Sequence, residues 1–184
     1  MKTKILFLFF ISSFFIFLIY NFNYQKQINI LSINSLFDEE NYNKYLSEYL
    51  NNSKLNYNLN IDYSSSKLEI ENLNALLSQN KNEINSKINS SDVLIISLGN
   101  IDILTEDYQE ILNELKELFK HLRLINSKEI IFISPCKIKS TTLIKELCHK
   151  YNILFINGSS FINKPNLLAQ MIYRKIETQF DIVT

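Results

Sequence analysis

The feature that most constrains the fold is a regular alternation between short apolar runs and longer segments with helical periodicity. Five runs of strand length follow one another, at residues 28–33, 55–61, 93–98, 130–133 and 153–156. In the segments between them, apolar side chains recur every three or four positions, as on one face of a helix. Strands that alternate with helices predict parallel pairing through right-handed crossovers, with helices on both faces of the sheet.

The composition of the runs predicts how deeply each strand is buried. The runs at 93–98, 130–133 and 153–156 are almost wholly apolar, which is typical of strands covered on both faces. The run at 55–61 alternates apolar residues with Asn, as in a half-buried strand. We therefore predict an α/β fold: a three-layer α/β/α sandwich around a five-stranded, mainly parallel, doubly wound sheet of the flavodoxin-like type.

The topology also predicts where a ligand would bind. The simplest strand order is 2-1-3-4-5, and in such sheets ligands lie beyond the carboxyl ends of strands 1 and 3. At those two ends the chain has Asn34 and Ser35, then Gly99, Asn100 and Asp102.

Composition excludes several classes of function. The 184 residues suit one domain, and 19 basic side chains balance 19 acidic ones, so no basic surface for nucleic acid is expected. Only two Gly occur, which leaves no glycine-rich loop to hold phosphates. Two His and two Cys offer no metal-binding cluster, and no cofactor is predicted.

The first 24 residues form a separate segment. Lys2 and Lys4 precede an apolar run at 5–20 that is interrupted only by two serines. A helix over this run spans about 24 Å, slightly less than a bilayer core. The run ends without the small residues of a signal-peptidase site. We therefore predict a membrane anchor over residues 1–24, with a cleaved signal sequence or a buried core helix as the alternatives.

The charges around this segment predict its orientation. No lysine follows the two N-terminal ones until Lys26, which places the N-terminus in the cytoplasm by the positive-inside rule. Residues 25–184 would then form an extracytoplasmic C-terminal domain of a single-pass protein of the cell membrane. If the segment is cleaved, the domain is secreted instead. The membrane itself is the expected partner, through residues 5–20.

Three blocks of the chain resemble those of the SGNH/GDSL hydrolases, in the order in which the family has them. Residues 30–36 (ILSINSL) are similar to an apolar strand followed by Gly-Asp-Ser-Leu. Residues 91–102 resemble a strand followed by Gly-x-Asn-Asp, and residues 161–166 occupy the place of Asp-x-x-His-Pro. The order and spacing of strands and helices agree over residues 28–178. The domain at 25–184 is accordingly identified as a degenerate member of this family.

The resemblance implies ester hydrolysis or acyl transfer by a serine nucleophile. It matches Ser35 to that nucleophile, although Ser35 can equally serve to cap the following helix. It matches Gly99 to an oxyanion-hole donor, with Asn100 beside the family's oxyanion Asn position, where this chain has Ile101. Asp102 keeps a family position but lies outside the usual catalytic set.

The last block departs from the family where its general base should be. Phe161 and Lys164 stand in the places of Asp and His. A lysine with an ordinary pKa near 10.4 is a poor base at neutral pH. His121 and His149 fall in segments predicted as helices flanking the sheet, away from its carboxyl edge. The resemblance therefore predicts impaired catalysis.

Two functions of different classes stay open. One is a membrane-anchored esterase or acyl hydrolase that acts on esters of lipid, glycan or cell-wall material. The other is a non-catalytic module on the same fold that binds a ligand or a partner at the cell surface. For Cys136 and Cys148, burial as two small hydrophobic side chains is expected, with a disulfide as the alternative.

Overall fold

The computed structural model describes residues 27–34, 42–53, 56–63, 70–78, 83–97, 108–126, 128–134, 141–161 and 163–180. Its strands are β1 (Ile28–Asn34), β2 (Tyr57–Tyr63), β3 (Val93–Ser97), β4 (Glu129–Ile133) and β5 (Leu154–Ile156). Its α-helices are α1 (Tyr42–Asn51), α2 (Ile70–Ser78), α3 (Glu83–Ser90), α4 (Tyr108–Ile125), α5 (Thr142–Lys150) and α6 (Pro165–Phe180). A 3-10 helix, Gly158–Phe161, connects β5 to α6.

All strand pairs are parallel, and the strand order is β2-β1-β3-β4-β5. The predicted α/β fold is therefore confirmed, as is the predicted strand order. The register places Asn34, the last residue of β1, between Tyr63 of β2 and Ser97 of β3. The winding direction of the sheet changes between β1 and β3, and the carboxyl ends of these two strands therefore lie side by side.

Each face of the sheet carries its own hydrophobic core, because side chains alternate along the strands. Residues such as Ile30 and Ile95 pack under α1 and α6, whereas Leu31 and Ile96 pack under α2, α3, α4 and α5. The long helix α4 buries one apolar stripe, as its periodicity predicts: Ile111, Leu115, Leu118, Phe119 and Leu122. The result is the expected three-layer sandwich.

The edge strand β2 lies two residues later than its apolar pattern predicts. The prediction was 55–61, and the strand in the structure is Tyr57–Tyr63. The ladder with β1 explains the difference, because it begins where the Ile28 N–H donates to the Asn56 C=O at 2.8 Å. It then pairs every residue of β1 through to Asn34 with Tyr63.

Side chains hold the amino ends of the strands together. The carboxylate of Asp92 accepts the Asn29 N–H and the Lys128 ammonium, both at 3.0 Å. The Arg123 guanidinium, near the end of α4, donates to the carbonyls of Lys128 and of Tyr151 and Asn152, in the turn after α5. These contacts fix the edge of the sheet that lies opposite the predicted ligand site.

The predicted anchor over residues 1–24 lies outside the described residues. Among the helices that the structure describes, none is both long and apolar enough to cross a bilayer.

Candidate functional site

The carboxyl ends of β1 and β3 meet as predicted, and polar residues occupy both. Asn34 and Ser97 are register partners and are almost fully buried, with 6% and 8% of their surface exposed. By strand alternation both lie on the face covered by α1 and α6. The predicted site residues Ser35, Gly99, Asn100 and Asp102 lie outside the described residues.

Three buried side chains form a hydrogen-bonded group at this end of β1, which we call the Asn34 cluster: Ser32, Asn34 and Tyr42. The Tyr42 hydroxyl donates to Asn34 Oδ1 at 2.6 Å, and the Ser32 hydroxyl lies 2.9 Å from that of Tyr42. The Ser32 hydroxyl also lies 3.3 Å from Asn34 Oδ1. The cluster forms because α1 begins at Tyr42 and packs this ring over the even-numbered residues of β1.

The cluster fixes the orientation of the Asn34 side-chain amide. Since Oδ1 receives the Tyr42 hydroxyl, Nδ2 is held as the opposite, donating end of the amide. Nδ2 is buried and has no hydrogen-bond partner among the described residues. A buried donor without an acceptor costs about 1–3 kcal/mol, so such groups normally have one. The Asn34 amide is therefore a preorganised donor at the carboxyl end of β1.

The ends of β4 and β5 are also polar, but their groups satisfy one another. Ser134 Oγ accepts the Gly158 N–H at 3.1 Å, and the Ser134 N–H donates to the Ile156 C=O at 2.9 Å. Asn157 Oδ1 accepts both the N–H and the hydroxyl of Ser159, at 3.2 and 2.7 Å. These contacts shape the turn into the 3-10 helix and favour a structural role for it.

The segment matched to the last family block also has structural explanations. Phe161 packs at the margin of the core beneath α1 and α6, which requires an apolar side chain there. Lys164 is exposed, its N–H donates to the Phe161 C=O at 2.9 Å, and its carbonyl accepts from the first turn of α6. Lys164 therefore lies at the carboxyl edge without entering the Asn34 cluster.

Neither histidine of the chain lies at the carboxyl ends of the strands. His121 is in the last turns of α4 and His149 is the next-to-last residue of α5. Helices that connect parallel strands begin at the carboxyl edge and end at the amino edge. Both imidazoles are consequently at the far end of the sheet, as the sequence predicts.

Cys148 is fully buried in the core beneath α4 and α5, as expected, and is a free thiol. Burial raises the pKa of the Cys148 thiol to about 12, so the reactive thiolate is suppressed. Cys136, its possible disulfide partner, lies outside the described residues. No group of three metal-ligating side chains occurs in the described part of the chain.

A groove of about 400 Å³ lies on the other face of the sheet, between β2 and α3. It is lined mainly by amide and hydroxyl side chains, among them Asn29, Asn58, Asn60 and Ser91. Lys87 also borders it and is paired at 2.9 Å with Glu83 in an exposed ion pair. The groove lies along the edge strand β2 rather than at the switch point between β1 and β3.

Sequence reasoning missed Ser32 and Tyr42 as parts of the candidate site. By its spacing from Tyr45, Leu46 and Tyr49, Tyr42 fits the apolar stripe of a helix, and this pattern does not indicate a role for its hydroxyl. A signal was nevertheless available, because Ser32 interrupts an apolar strand two residues before Asn34, on the same face. Two polar residues on one buried face require a polar partner from the covering helix.

The fold and the site define an α/β protein with a parallel, doubly wound sheet. No protein-family model matches the chain, and no curated protein matches it. Among solved structures, it is similar to the N-terminal part of the protein BF1531 from Bacteroides fragilis, described as containing a phosphatase domain complexed with Mg. That likeness has 12% identity and a TM-score of 0.50, and covers 82% of this chain and 51% of the other.

A second solved structure is rubredoxin oxygen:oxidoreductase from the anaerobe Desulfovibrio gigas. It matches at 14% identity with a TM-score of 0.37, over 86% of this chain and 38% of that one. The chain thus spans about half or less of the length of these structures. The first likeness shows the fold alone, and the second is too weak to carry an argument.

The identification with the SGNH/GDSL hydrolases is wrong. No family model matches, and the solved structure that shares the fold is described as containing a phosphatase domain. The descriptions as an esterase, a hydrolase or an inactive enzyme, which depended on that family, lose their basis with it. So do the roles that the resemblance gave to individual residues: Ser35, Gly99, Asn100, Asp102 and Lys164.

The structure explains why the three blocks were misleading. Asn34 is the last residue of β1, and its side-chain oxygen accepts the Tyr42 hydroxyl. The Asp92 carboxylate, just before β3, binds the backbone of β1 and the lysine that precedes β4. Pro165 is the first residue of α6, where proline has no N–H to lose. Apolar strands that end in small or polar residues are general to doubly wound sheets, so they do not identify one family.

Proposed function

We propose that the domain is a binding module for a ligand that presents an acceptor oxygen to the carboxyl edge of β1 and β3. The observation that carries the proposal is the buried Asn34 Nδ2, which is held in place by Tyr42 and has no acceptor among the described residues. The position supports it, because doubly wound sheets bind ligands at this switch point. A carbonyl, carboxylate or phosphate oxygen would complete the hydrogen bonding of the amide.

The charges of the described residues near this edge limit the ligand further. The Asn34 cluster is neutral, and two exposed lysines lie at the same end of the sheet: Lys164, before α6, and Lys44, in the first turn of α1. A neutral or singly negative oxygen group therefore suits the site. An ester or carboxyl group of a lipid, a glycan or cell-wall material has this chemistry.

The test is a titration of the full-length chain, labelled with ¹⁵N at asparagine, with acetate, acetamide and inorganic phosphate. Binding at the proposed site should shift the side-chain amide signal of Asn34. Asn34→Asp keeps the acceptor for Tyr42 but replaces the donor, so it should abolish binding. The matched control is Asn58→Asp, which changes an exposed amide of the groove on the other face. In both variants binding is read from the backbone amide signals of the labelled asparagines, among them Asn43, the neighbour of Tyr42 in α1.

The two variants separate the possible outcomes. Loss of binding in Asn34→Asp, with normal binding in Asn58→Asp, supports the proposal. The reverse pattern would assign binding to the groove, and no response of the Asn34 amide to any of the three probes would refute a donor site there. As a binding module the chain should also leave Ser35 unlabelled by a fluorophosphonate, and stoichiometric labelling of Ser35 would indicate an enzyme instead.

We also propose that residues 5–20 attach this module to a membrane, with the domain on the outer side. The supporting observation is the apolar run behind two lysines. Full-length protein should then resist carbonate extraction, and protease added outside intact protoplasts should cleave the domain. A soluble mature form that lacks the first 20–25 residues would show a cleaved signal sequence instead.

A further inference from the structure

We propose that two copies of this chain pair through β2, antiparallel and centred on Asn60, to form one continuous sheet. The proposal rests on three properties of the strand: an open edge, the direction in which its backbone groups point, and a sequence that is nearly the same in both directions.

The first property is that β2 is an unprotected edge. Among the residues that the structure describes, it is the outermost strand and pairs only with β1. Its seven residues, YNLNIDY, include no Lys and no Pro, which normally prevent edge-to-edge pairing, and the single charged residue is Asp62, next to the end of the strand. Asn58, Asn60 and Ile61 are exposed there, Ile61 by 37%. The strand is thus long and open enough to accept another strand.

The second property is the direction of the free backbone groups. The Ile28 N–H donates to the Asn56 C=O, and Ile28 is the register partner of Tyr57. In a parallel ladder, alternate residues point both backbone groups at the neighbouring strand. The backbone N–H and C=O groups of the even-numbered residues of β2 therefore point towards β1. Those of four odd-numbered residues point away from the sheet: Tyr57, Leu59, Ile61 and Tyr63.

The third property is that β2 is close to a palindrome. In an antiparallel pair centred on Asn60, position 57 faces 63 and position 59 faces 61 of the second copy. Tyr then pairs with Tyr, and Leu59 with Ile61, while Asn58 faces Asp62 and Asn60 faces itself. All four outward-pointing residues lie in hydrogen-bonded pairs in this register, each exchanging two backbone hydrogen bonds. A shift by two residues in either direction loses part of these pairs.

These properties favour a second copy over any other occupant. A two-fold interface requires a surface that is complementary to itself, and the strand meets this requirement residue by residue. An unrelated extended peptide could also pair with an open edge, but its binding would not require β2 to be nearly palindromic. The two copies would also keep their apolar rows on one face and their amide rows on the other, since the paired positions differ by an even number.

A disulfide test reads the register directly. Asn60 and its symmetry mate form a pair without hydrogen bonds, with Cα atoms about 4.5 Å apart, which suits a disulfide. In full-length protein carrying Cys136→Ser, Asn60→Cys should form a covalent dimer on mild oxidation. The control is Asn58→Cys, an exposed position on the same face of the strand. Its symmetry mate lies four residues along the strand, about 13 Å away, and should not be linked.

A charge-exchange test measures assembly without oxidation. Sedimentation of the full-length wild-type chain in mild detergent should give twice the 21.7 kDa protein mass. Asn60→Lys and Asn60→Asp should each weaken the dimer about tenfold or more, because like charges then lie directly opposite. An equimolar mixture of the two variants should restore it as a heterodimer. The control Asn52→Lys, at an exposed residue after α1, should behave as wild type.

Several results would overturn the proposal. They are a monomeric wild-type chain at about 100 µM, equal cross-linking of Asn58→Cys and Asn60→Cys, or a mixture of charged variants that stays monomeric. A dimer that is indifferent to both charges at position 60 would place the contact elsewhere, for example in residues 1–24, and would equally refute it.

Discussion

Tyr42 shows how a single side chain connects two layers of the molecule. Its ring is part of the apolar face of α1, and its hydroxyl donates to the buried amide of Asn34. Ser32 and Asn34 lie on the same face of β1 as Ile28 and Ile30, which come nearer the start of the strand. Polar residues at these positions would be costly without that hydroxyl, because a buried polar group needs a hydrogen-bond partner.

Gly158 is required by the close approach of two backbones. A Cβ atom at this position would lie 2.1 Å from the Ser134 carbonyl oxygen, which belongs to the backbone and cannot rotate away. We expect Gly158→Ala to lower the free energy of unfolding by about 1–3 kcal/mol, as overpacking does. Urea denaturation measures this. Ser160→Ala, at an exposed position of the same 3-10 helix, should change it by less than about 0.5 kcal/mol.

Glu129 makes stability depend on pH. Burial raises the pKa of the Glu129 carboxyl, and the Arg123 guanidinium only partly opposes this. The folded state therefore holds the proton more tightly than the unfolded state. As a result, the free energy of unfolding falls as pH rises from about 4.5, the ordinary value, through the folded pKa.

Glu129→Gln should remove this dependence. Relative to wild type, the variant should be more stable at pH 7 than at pH 4, because it has no half-buried carboxylate to ionise. Chemical denaturation at several pH values measures the difference. Glu117→Gln, which changes an exposed carboxylate on α4, is the control. A wild-type-like pH profile in Glu129→Gln would contradict the assignment.

At the scale of elements, Arg123 fixes α4 against the turns that precede β4 and β5. Its guanidinium donates to backbone carbonyls in both turns, including Tyr151 at 2.8 Å. One of these carbonyls belongs to Asn152, whose φ of 54° lies in the left-handed region that Asn tolerates. The planar fork of Arg reaches groups in different directions, which the single ammonium of Lys cannot do.

We therefore expect Arg123→Lys to be destabilising although it conserves the charge. The free energy of unfolding should fall by about 1–3 kcal/mol, which is the range when the hydrogen bonds of a charged group are lost. Thermal and urea denaturation both measure it. Lys120→Ala removes an exposed ion pair with Glu117 one turn earlier and should cost less than about 1 kcal/mol. Equal effects of the two substitutions would contradict a special role for Arg123.

The elements themselves could largely be predicted from the sequence. The burial of Ile95 and Ile96 beneath helices on opposite faces is what an uninterrupted apolar strand predicts. Strand limits were less accurate, since the β1 ladder rather than the apolar pattern of β2 determines where β2 begins. The role of Gly158 and the pairing of Asn34 with Tyr42 could not be predicted, because each depends on contacts between segments brought together by the fold.

At the scale of the whole molecule, the two cores depend on one central strand. Ile96 of β3 is fully buried beneath the helices on one face, and its neighbour Ile95 is fully buried on the other. Ile96→Asp would bury an unpaired carboxylate at a cost of several kcal/mol, comparable with the stability of a small domain. We expect the variant to lack a cooperative unfolding transition by circular dichroism.

The matched control is Leu124→Asp. Leu124 is 76% exposed on α4, so the same change in chemistry there should leave the transition close to that of wild type. A soluble, cooperatively folded Ile96→Asp variant would contradict the placement of β3 at the centre of the sheet.

The packing of α1 on α6 has a consequence for synthesis on the ribosome. The two helices cover one face of the sheet together, and the rings of Tyr49 and Tyr173 stack with centroids 5.8 Å apart. During translation, β1 and α1 emerge early, whereas residues 165–180 leave the exit tunnel only after all five strands have been made. Until α6 has been made, the apolar surface that it covers in the finished domain stays exposed, and such surface makes an incomplete chain prone to aggregate.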